Sequence, residues 1–318
     1  MIIKPLYKNP FIYLAILLLQ VLSTYAQQNS MPVGIVAEAA GSGPYPALAE
    51  SFASMRENTV YRPASMPQGE LPVILWGNGA CRDNGLGYSD FHREVSSHGF
   101  IVISAGYPHM ENTNALPPTQ ETVGDDGAVV QRAVDPTNPE QLINAISWVE
   151  EQNTNPSSPL YQHVDLDNIA VMGHSCGGLQ AIVIAADPRI DTAIIFNSGV
   201  VNAGPDSGRS GISVYKDALE RIHTPVAYIN GGPTDIAYLN GLDDFERINH
   251  VPIVFAENQI GHGGTFRVAV NGGDYGKLAS AWMLWQLKGD QHAAQMFVGE
   301  DCGVCNIADW KIMKKQID

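Results

Sequence analysis

Apolar-rich runs alternate along the chain with stretches in which apolar residues recur every three to four positions. Leu71 to Trp76, Phe100 to Ser104, Asn168 to Met172, Thr192 to Phe196, Val226 to Ile229 and Ile253 to Ala256 are short apolar-rich runs, and Thr59 to Tyr61 is a shorter one. Runs of this kind read as strands buried on both faces. Between them, Asp90 to His98 predicts a helix stopped by Gly99, and Glu140 to Glu151 carries Leu142, Ile143, Ile146 and Val149 on one stripe. Leu179 to Ala186 and Leu278 to Leu287 predict two further helices. The alternation predicts an α/β fold: a mostly parallel central sheet with helices on both faces and its working groups at the carboxyl ends of the strands. Residues 27–54, rich in Gly, Ala, Ser and Pro, read as an irregular lead-in, and 106–136 as a long loop with room for one helical turn. No internal repeat or interdomain linker interrupts the pattern.

The first residues follow a different rule. Lys4 and Lys8 precede an apolar run from Phe11 to Leu22, and Ser23-Thr24-Tyr25-Ala26 places small residues where a signal peptidase accepts them. The expectation is a signal peptide over 1–26, cut after Ala26, and a single catalytic domain over 27–318, secreted or periplasmic. A membrane anchor fits less well, since about twenty apolar residues are needed to cross a bilayer core, and no membrane association is expected after cleavage. Loss of Lys4 and Lys8 leaves 16 of the 18 Lys and Arg residues against all 33 Asp and Glu, a formal charge of −17. That balance argues against a nucleic-acid partner and says little else beyond solubility. Oligomeric state is not legible.

Cys81, Cys176, Cys302 and Cys305 all lie in the exported part, where oxidation is permitted. Cys302-Gly303-Val304-Cys305 has CxxC spacing, but no second pair and no nearby His completes a zinc site, so a local Cys302–Cys305 disulfide is expected and no metal. Cys81 and Cys176 remain, either as a disulfide beside the site described next or as two buried thiols.

Gly173-His174-Ser175-Cys176-Gly177-Gly178 fills the GxSxG pattern between a predicted strand and a predicted helix. Small residues around a sharp strand-to-helix turn leave the Ser175 hydroxyl exposed, and the N–H of Cys176 points to the same space at the helix N-terminus, where an oxyanion is stabilised. Serine needs a base, and the base needs a carboxylate to hold its tautomer. His262, in the turn Gly261-His262-Gly263-Gly264 after a late strand, is the candidate base, with His174, His98 and His250 read as capping or surface residues. Asp235, on the loop after Val226 to Ile229, is the candidate acid; Asp243 and Asp244 read as a solvated or capping helix face, and Asp206 as a weaker alternative. The loop Gly77-Asn78-Gly79-Ala80-Cys81 should supply the second oxyanion N–H, from Asn78 or its neighbour Gly79.

In the order of these motifs the chain resembles the α/β-hydrolases. Within them it is similar to secreted cutinase-like and poly(ethylene terephthalate) hydrolase-like esterases, with dienelactone hydrolases and chlorophyllases as wider relatives. Gly43-Pro44, Thr59-Val60-Tyr61-Arg62-Pro63, Gly77-Asn78, the elbow, Asp235-Ile236-Ala237, Gly261-His262 and Ala281-Trp282-Met283 carry the likeness across most of the mature chain. The resemblance implies a serine esterase, with an ester, small or polymeric, as substrate and no cofactor. Polyester-cleaving members usually carry an aromatic where this chain has Asn78, and a Trp or Met in the elbow where it has His174 and Cys176. Another aromatic is expected where it reads Phe196-Asn197-Ser198-Gly199, which leaves Trp76, Tyr107 and Tyr238 as candidates to line a pocket. A serine peptidase or acyltransferase would use the same triad, and a non-catalytic binding protein could keep the fold. Activity through His262 should fall in acid as the imidazole takes up a proton.

Overall fold

The run Leu71–Gly77 is buried at every position, as a strand covered on both faces must be. A computed structural model describes residues 33–109, 119–123, 129–133, 136–203 and 212–317; the expected signal segment lies outside them. The strands are β1 Gly34–Ala40, β2 Ala47–Phe52, β3 Met55–Pro63, β4 Leu71–Gly77, β5 Ile101–Ala105, β6 Thr119–Val123, β7 Val129–Ala133, β8 Val164–His174, β9 Thr192–Phe196, β10 Val226–Asn230, β11 Ile253–Glu257 and β12 Lys311–Lys315. The helices are α1 Ser89–Ser97, α2 Pro139–Thr154, α3 Cys176–Ile184, α4 Tyr238–Arg247, α5 Gly273–Lys288 and α6 Gln291–Ala294.

Ten strands form one sheet in the order β1-β2-β3-β5-β4-β8-β9-β10-β11-β12. The six from β5 to β11 run parallel, and the flanking pairings are antiparallel. From β4 the chain moves outward to β5 and then returns to place β8 on the other side of β4. The carboxyl ends of β4 and β8 therefore flank a topological switch point, where an open α/β sheet forms its crevice. In register, Gly77 at the end of β4 sits opposite Gly173 of β8.

Alternation along the strands separates two cores. Val73 and Leu75 of β4 and Ile169 and Val171 of β8 pack with Leu142, Ile146 and Val149 of α2 on one face. Ile74, Trp76, Ala170 and Met172 pack with Phe91 and Val95 of α1 and Leu278 and Trp282 of α5 on the other. Helix α2 starts where expected, because the Asn138 side chain accepts from Gln141 N at 3.0 Å and Pro139 occupies the first turn.

Two expectations are corrected. The lead-in is not irregular: residues 34–40 and 47–52 are strands that extend the sheet through β3. Residues 119–123 and 129–133 pair as an antiparallel hairpin rather than adding a helical turn to a loop, while 110–118, 124–128 and 134–135 lie outside the described residues.

Candidate active site

At the end of β8 the backbone reverses through Ser175, whose φ of 54° and ψ of −116° are unusual for a residue with a side chain. The turn is possible because its neighbours lack side chains. A Cβ on Gly173 would fall 2.0 Å from Gly177 O, and one on Gly177 would fall 2.0 Å from Gly77 O. Helix α3 begins at Cys176, three residues before the apolar stretch, with Gly178 N and Leu179 N bonded to Ser175 O at 2.9 and 3.2 Å. Ser198 Oγ donates to the same carbonyl at 2.7 Å.

Three of the expected residues meet here. His262 Nε2 lies 2.9 Å from Ser175 Oγ, and His262 Nδ1 lies 2.6 Å from Asp235 Oδ1. A carboxylate only accepts, so the ring proton sits on Nδ1 and Nε2 offers its lone pair to the serine hydroxyl. The Asp235 side chain is fully buried. Burial by itself would raise its pKa, but hydrogen bonds from His262 and from the N–H groups of Ala237 and Gly231 outweigh it and hold the carboxyl below its ordinary value. Asn197, unnoticed in the sequence, donates through Nδ2 to Asp235 Oδ2 at 2.8 Å and to Gly261 O at 2.9 Å. It ties the Asp235 loop to the His262 loop from a left-handed conformation, φ 44°.

The rival residues divide. His174 is not a surface residue: it is buried, and its ring packs 5.2 Å from that of His262. Burial, followed by the nearby His262, pushes its pKa down to about 3, so it is neutral. Its Nε2 lies 2.8 Å from His262 O, which only accepts, so Nε2 carries the proton; Nδ1 then accepts from Tyr88 Oη at 2.8 Å. Asp244 likewise is not a solvated face. It is fully buried, accepts from Val200 N and Tyr228 Oη, and pairs with Lys216 at 2.6 Å. His98 bonds Glu94 and His250 bonds Ile222 O, both away from Ser175; Asp243 pairs with Lys216 and Arg247. Asp206 lies outside the described residues.

Cys176 is joined to Cys81 by a disulfide, and Cys302 to Cys305 by a second, so buried free thiols are excluded. The first bond ties the loop after β4 to the first residue of α3. Asn78 is buried, its Oδ1 accepting from Trp76 Nε1 at 2.9 Å and its Nδ2 donating to Arg82 O, Asn84 O and Ala105 O. Its backbone N packs on Gly177, and among the described residues no acceptor takes the N–H of Asn78 or of Cys176. Gly79 lies against His174 and Tyr88, where a Cβ would fall 2.5 Å from each side chain. Ala80, at φ 54°, is the residue of this loop that lines the cleft.

The cleft holds about 550 Å³ over Ser175 and His262, with Leu179, Val201, Ala203 and Ile236 as its apolar wall. Among the described residues no Phe, Tyr or Trp lines it. Trp76 is a core residue, Tyr107 borders a different cavity, and Tyr238 packs on Phe255, so the expected aromatic candidates are absent from its walls. No group of three or more His, Cys, Asp or Glu among the described residues is placed to hold a metal ion, and no helix among them is long and apolar enough to cross a membrane. The sheet and its flanking helices define an α/β fold compatible with the α/β-hydrolases. No family model matches the chain, and no curated protein matches it significantly.

Proposed function

We propose that the chain is a secreted serine hydrolase that cleaves carboxylic esters through an acyl-enzyme, of the cutinase-like or polyester hydrolase-like kind. The observation that carries this reading is the continuous contact from Asp235 through His262 to Ser175, 2.6 and 2.9 Å, just beyond the carboxyl ends of β10, β11 and β8. In this reading Ser175 Oγ attacks the ester carbonyl while His262 Nε2 takes its proton, and Asp235 stabilises the resulting imidazolium. The tetrahedral oxyanion is held by the N–H groups of Cys176 and Asn78, both without an acceptor among the described residues. His262 returns the proton to the departing alcohol, and a water activated by the same imidazole releases the acid and restores the serine. The small apolar wall of the cleft supports a short acyl group, and two disulfides support an oxidising compartment.

The protein is expected to hydrolyse p-nitrophenyl butyrate and to be labelled at Ser175 by a fluorophosphonate. Ser175→Ala should lower kcat by about 10⁴ or more while leaving the melting temperature and near-ultraviolet circular dichroism in place. Undiminished hydrolysis in that variant would refute the assignment.

A further inference from the structure

The imidazole of His262 reaches Ser175 from a turn with little rigidity of its own. Gly261, Gly263 and Gly264 surround it, with Gly261 and Gly264 at φ 77° and 56°, and a Cβ at Gly263 would meet nothing within 4 Å. Such glycines leave the backbone many conformations to lose. The turn is therefore held from outside. Gly261 N donates to Gly231 O at 2.8 Å, and Gly261 O accepts from Asn197. The carbonyl of His262 itself is held by a third segment, through His174 of the elbow at 2.8 Å.

The strained turn at Ser175 needs glycines at 173 and 177, not an imidazole at 174. Yet the buried His174 ring is gripped at both nitrogens: Nε2–H donates to His262 O, and Nδ1 accepts from Tyr88 Oη at 2.8 Å. Tyr88, immediately before α1, is fixed in turn by other rings, its centroid 5.0 Å from that of Trp76 and 5.2 Å from that of Phe266. Gly79 closes another side, since a Cβ there would fall 2.5 Å from both Tyr88 Oη and His174 Nδ1. Rotating the His174 ring would break two buried hydrogen bonds and leave polar groups unpaired.

We propose that Tyr88 and His174 are positioning residues for His262: Tyr88 fixes the His174 ring, and His174 anchors the His262 backbone so that its Nε2 stays in line with Ser175 Oγ. The reaction they serve rests on the serine-hydrolase reading; the hold on His262 does not. Proton transfer depends on the 2.9 Å contact between His262 and Ser175, and a displacement of about 1 Å costs on the order of a hundredfold in rate. Neither Tyr88 nor His174 lines the cleft, so their loss falls on kcat rather than on KM.

Tyr88→Phe, which removes only the hydroxyl, should lower kcat for p-nitrophenyl butyrate by about threefold or more, and His174→Leu by about tenfold or more, both with KM little changed. His174→Gln keeps an N–H for His262 O and an oxygen for Tyr88 Oη, and should recover most of the His174→Leu loss, whereas a side chain that only filled space would gain nothing from the amide. Active-site titration with a fluorophosphonate corrects each rate for unfolded protein, and Tyr88→Phe serves if His174→Leu fails to fold. Equal kcat in wild type and Tyr88→Phe, or His174→Gln as slow as His174→Leu, overturns the positioning role. Proton NMR of the His262 Nδ1–H, which is bonded to Asp235, reads the hold apart from turnover: it should exchange with water faster in Tyr88→Phe and His174→Leu than in wild type. Faster exchange in those variants of a protein that cleaves no ester sustains the positioning and overturns the esterase reading; ester cleavage with kcat and exchange unaltered in all three variants does the reverse.

Discussion

Asp235 has both carboxylate oxygens engaged, by His262 and Ala237 N on one and by Asn197 and Gly231 N on the other. Asn197 is the member of this set that also reaches the His262 turn, through Gly261 O. Asn197→Ala should therefore lower kcat for p-nitrophenyl butyrate by roughly tenfold with KM little changed, the loss of one charge-assisted hydrogen bond being worth about 1.5–3 kcal/mol. Asn197→Asp, which sets a second carboxylate against Asp235, should lower it further; steady-state kinetics on both variants, with equal kcat in wild type and Asn197→Ala counting against the role, make the check. Ser175, Asp235 and His262 were legible in the sequence because each sits in a turn that follows a strong strand. Asn197 was not, since an Asn after a strand has many uses and only its contact across 38 residues to Asp235 gives it this one. His174 was misread as peripheral for the same reason: its partners, Tyr88 and His262 O, are 86 and 88 residues away.

Among the elements, the loop after β4 and the start of α3 are joined covalently by Cys81–Cys176, whose sequence separation is 95. Closing a loop of that length limits the unfolded chain by at most about 4–5 kcal/mol in the chain-entropy account. Cys81→Ala with Cys176→Ala should accordingly lower the melting temperature by on the order of 10 °C, and kcat should fall because Cys176 N–H and the loop lose their fixed spacing. Calorimetry and kinetics on the double variant decide this, and an unchanged kcat would separate the bond from the proposed oxyanion site. The central strands were legible because burial on both faces demands continuous apolar runs. The outer ones were not: β1 and β2 are built largely from Ala, Gly and Glu, and β12 reads Lys311-Ile312-Met313-Lys314-Lys315. Their strand geometry comes from an available sheet edge, as with Glu257 opposite Lys311 in the β11 and β12 pair, more than from propensity.

Across the whole molecule, two buried histidines make the fold sensitive to acid. His92 lies among Tyr61, Trp76, Tyr88 and Phe91 with neither ring nitrogen bonded, and burial pushes its pKa from 6.5 down to about 3; His174 is pushed equally far. Above pH 6.5 both states leave these rings neutral, and below it the unfolded chain takes up protons that the native chain refuses. Stability is therefore lost as pH falls from 6.5 toward 3, by roughly 3 kcal/mol per ring at about pH 4. Asp244 opposes this. Burial raises its pKa to about 6 despite Lys216, so its contribution is present in acid and lost as pH rises through 6, offsetting roughly one of the two rings. The midpoint of urea unfolding should fall as pH drops below 6, and His92→Leu should flatten that fall while removing two unsatisfied buried nitrogens. An unaltered pH slope in His92→Leu would count against the assignment.

What the sequence determined by itself is local. Strand and helix alternation, the strained turn at Ser175 and the order of serine, acid and histidine depend on side-chain period and backbone sterics, which act over a few residues. What only the tertiary structure decided is who meets whom: Asn197 with Asp235, His174 with Tyr88 and His262, and Cys81 with Cys176. Each of these pairs joins segments dozens of residues apart, brought together where β4 and β8 flank the switch point and β9 to β11 continue the sheet. Hydrogen bonds, desolvation and charge act on distance in space, and no pattern along the chain encodes that distance.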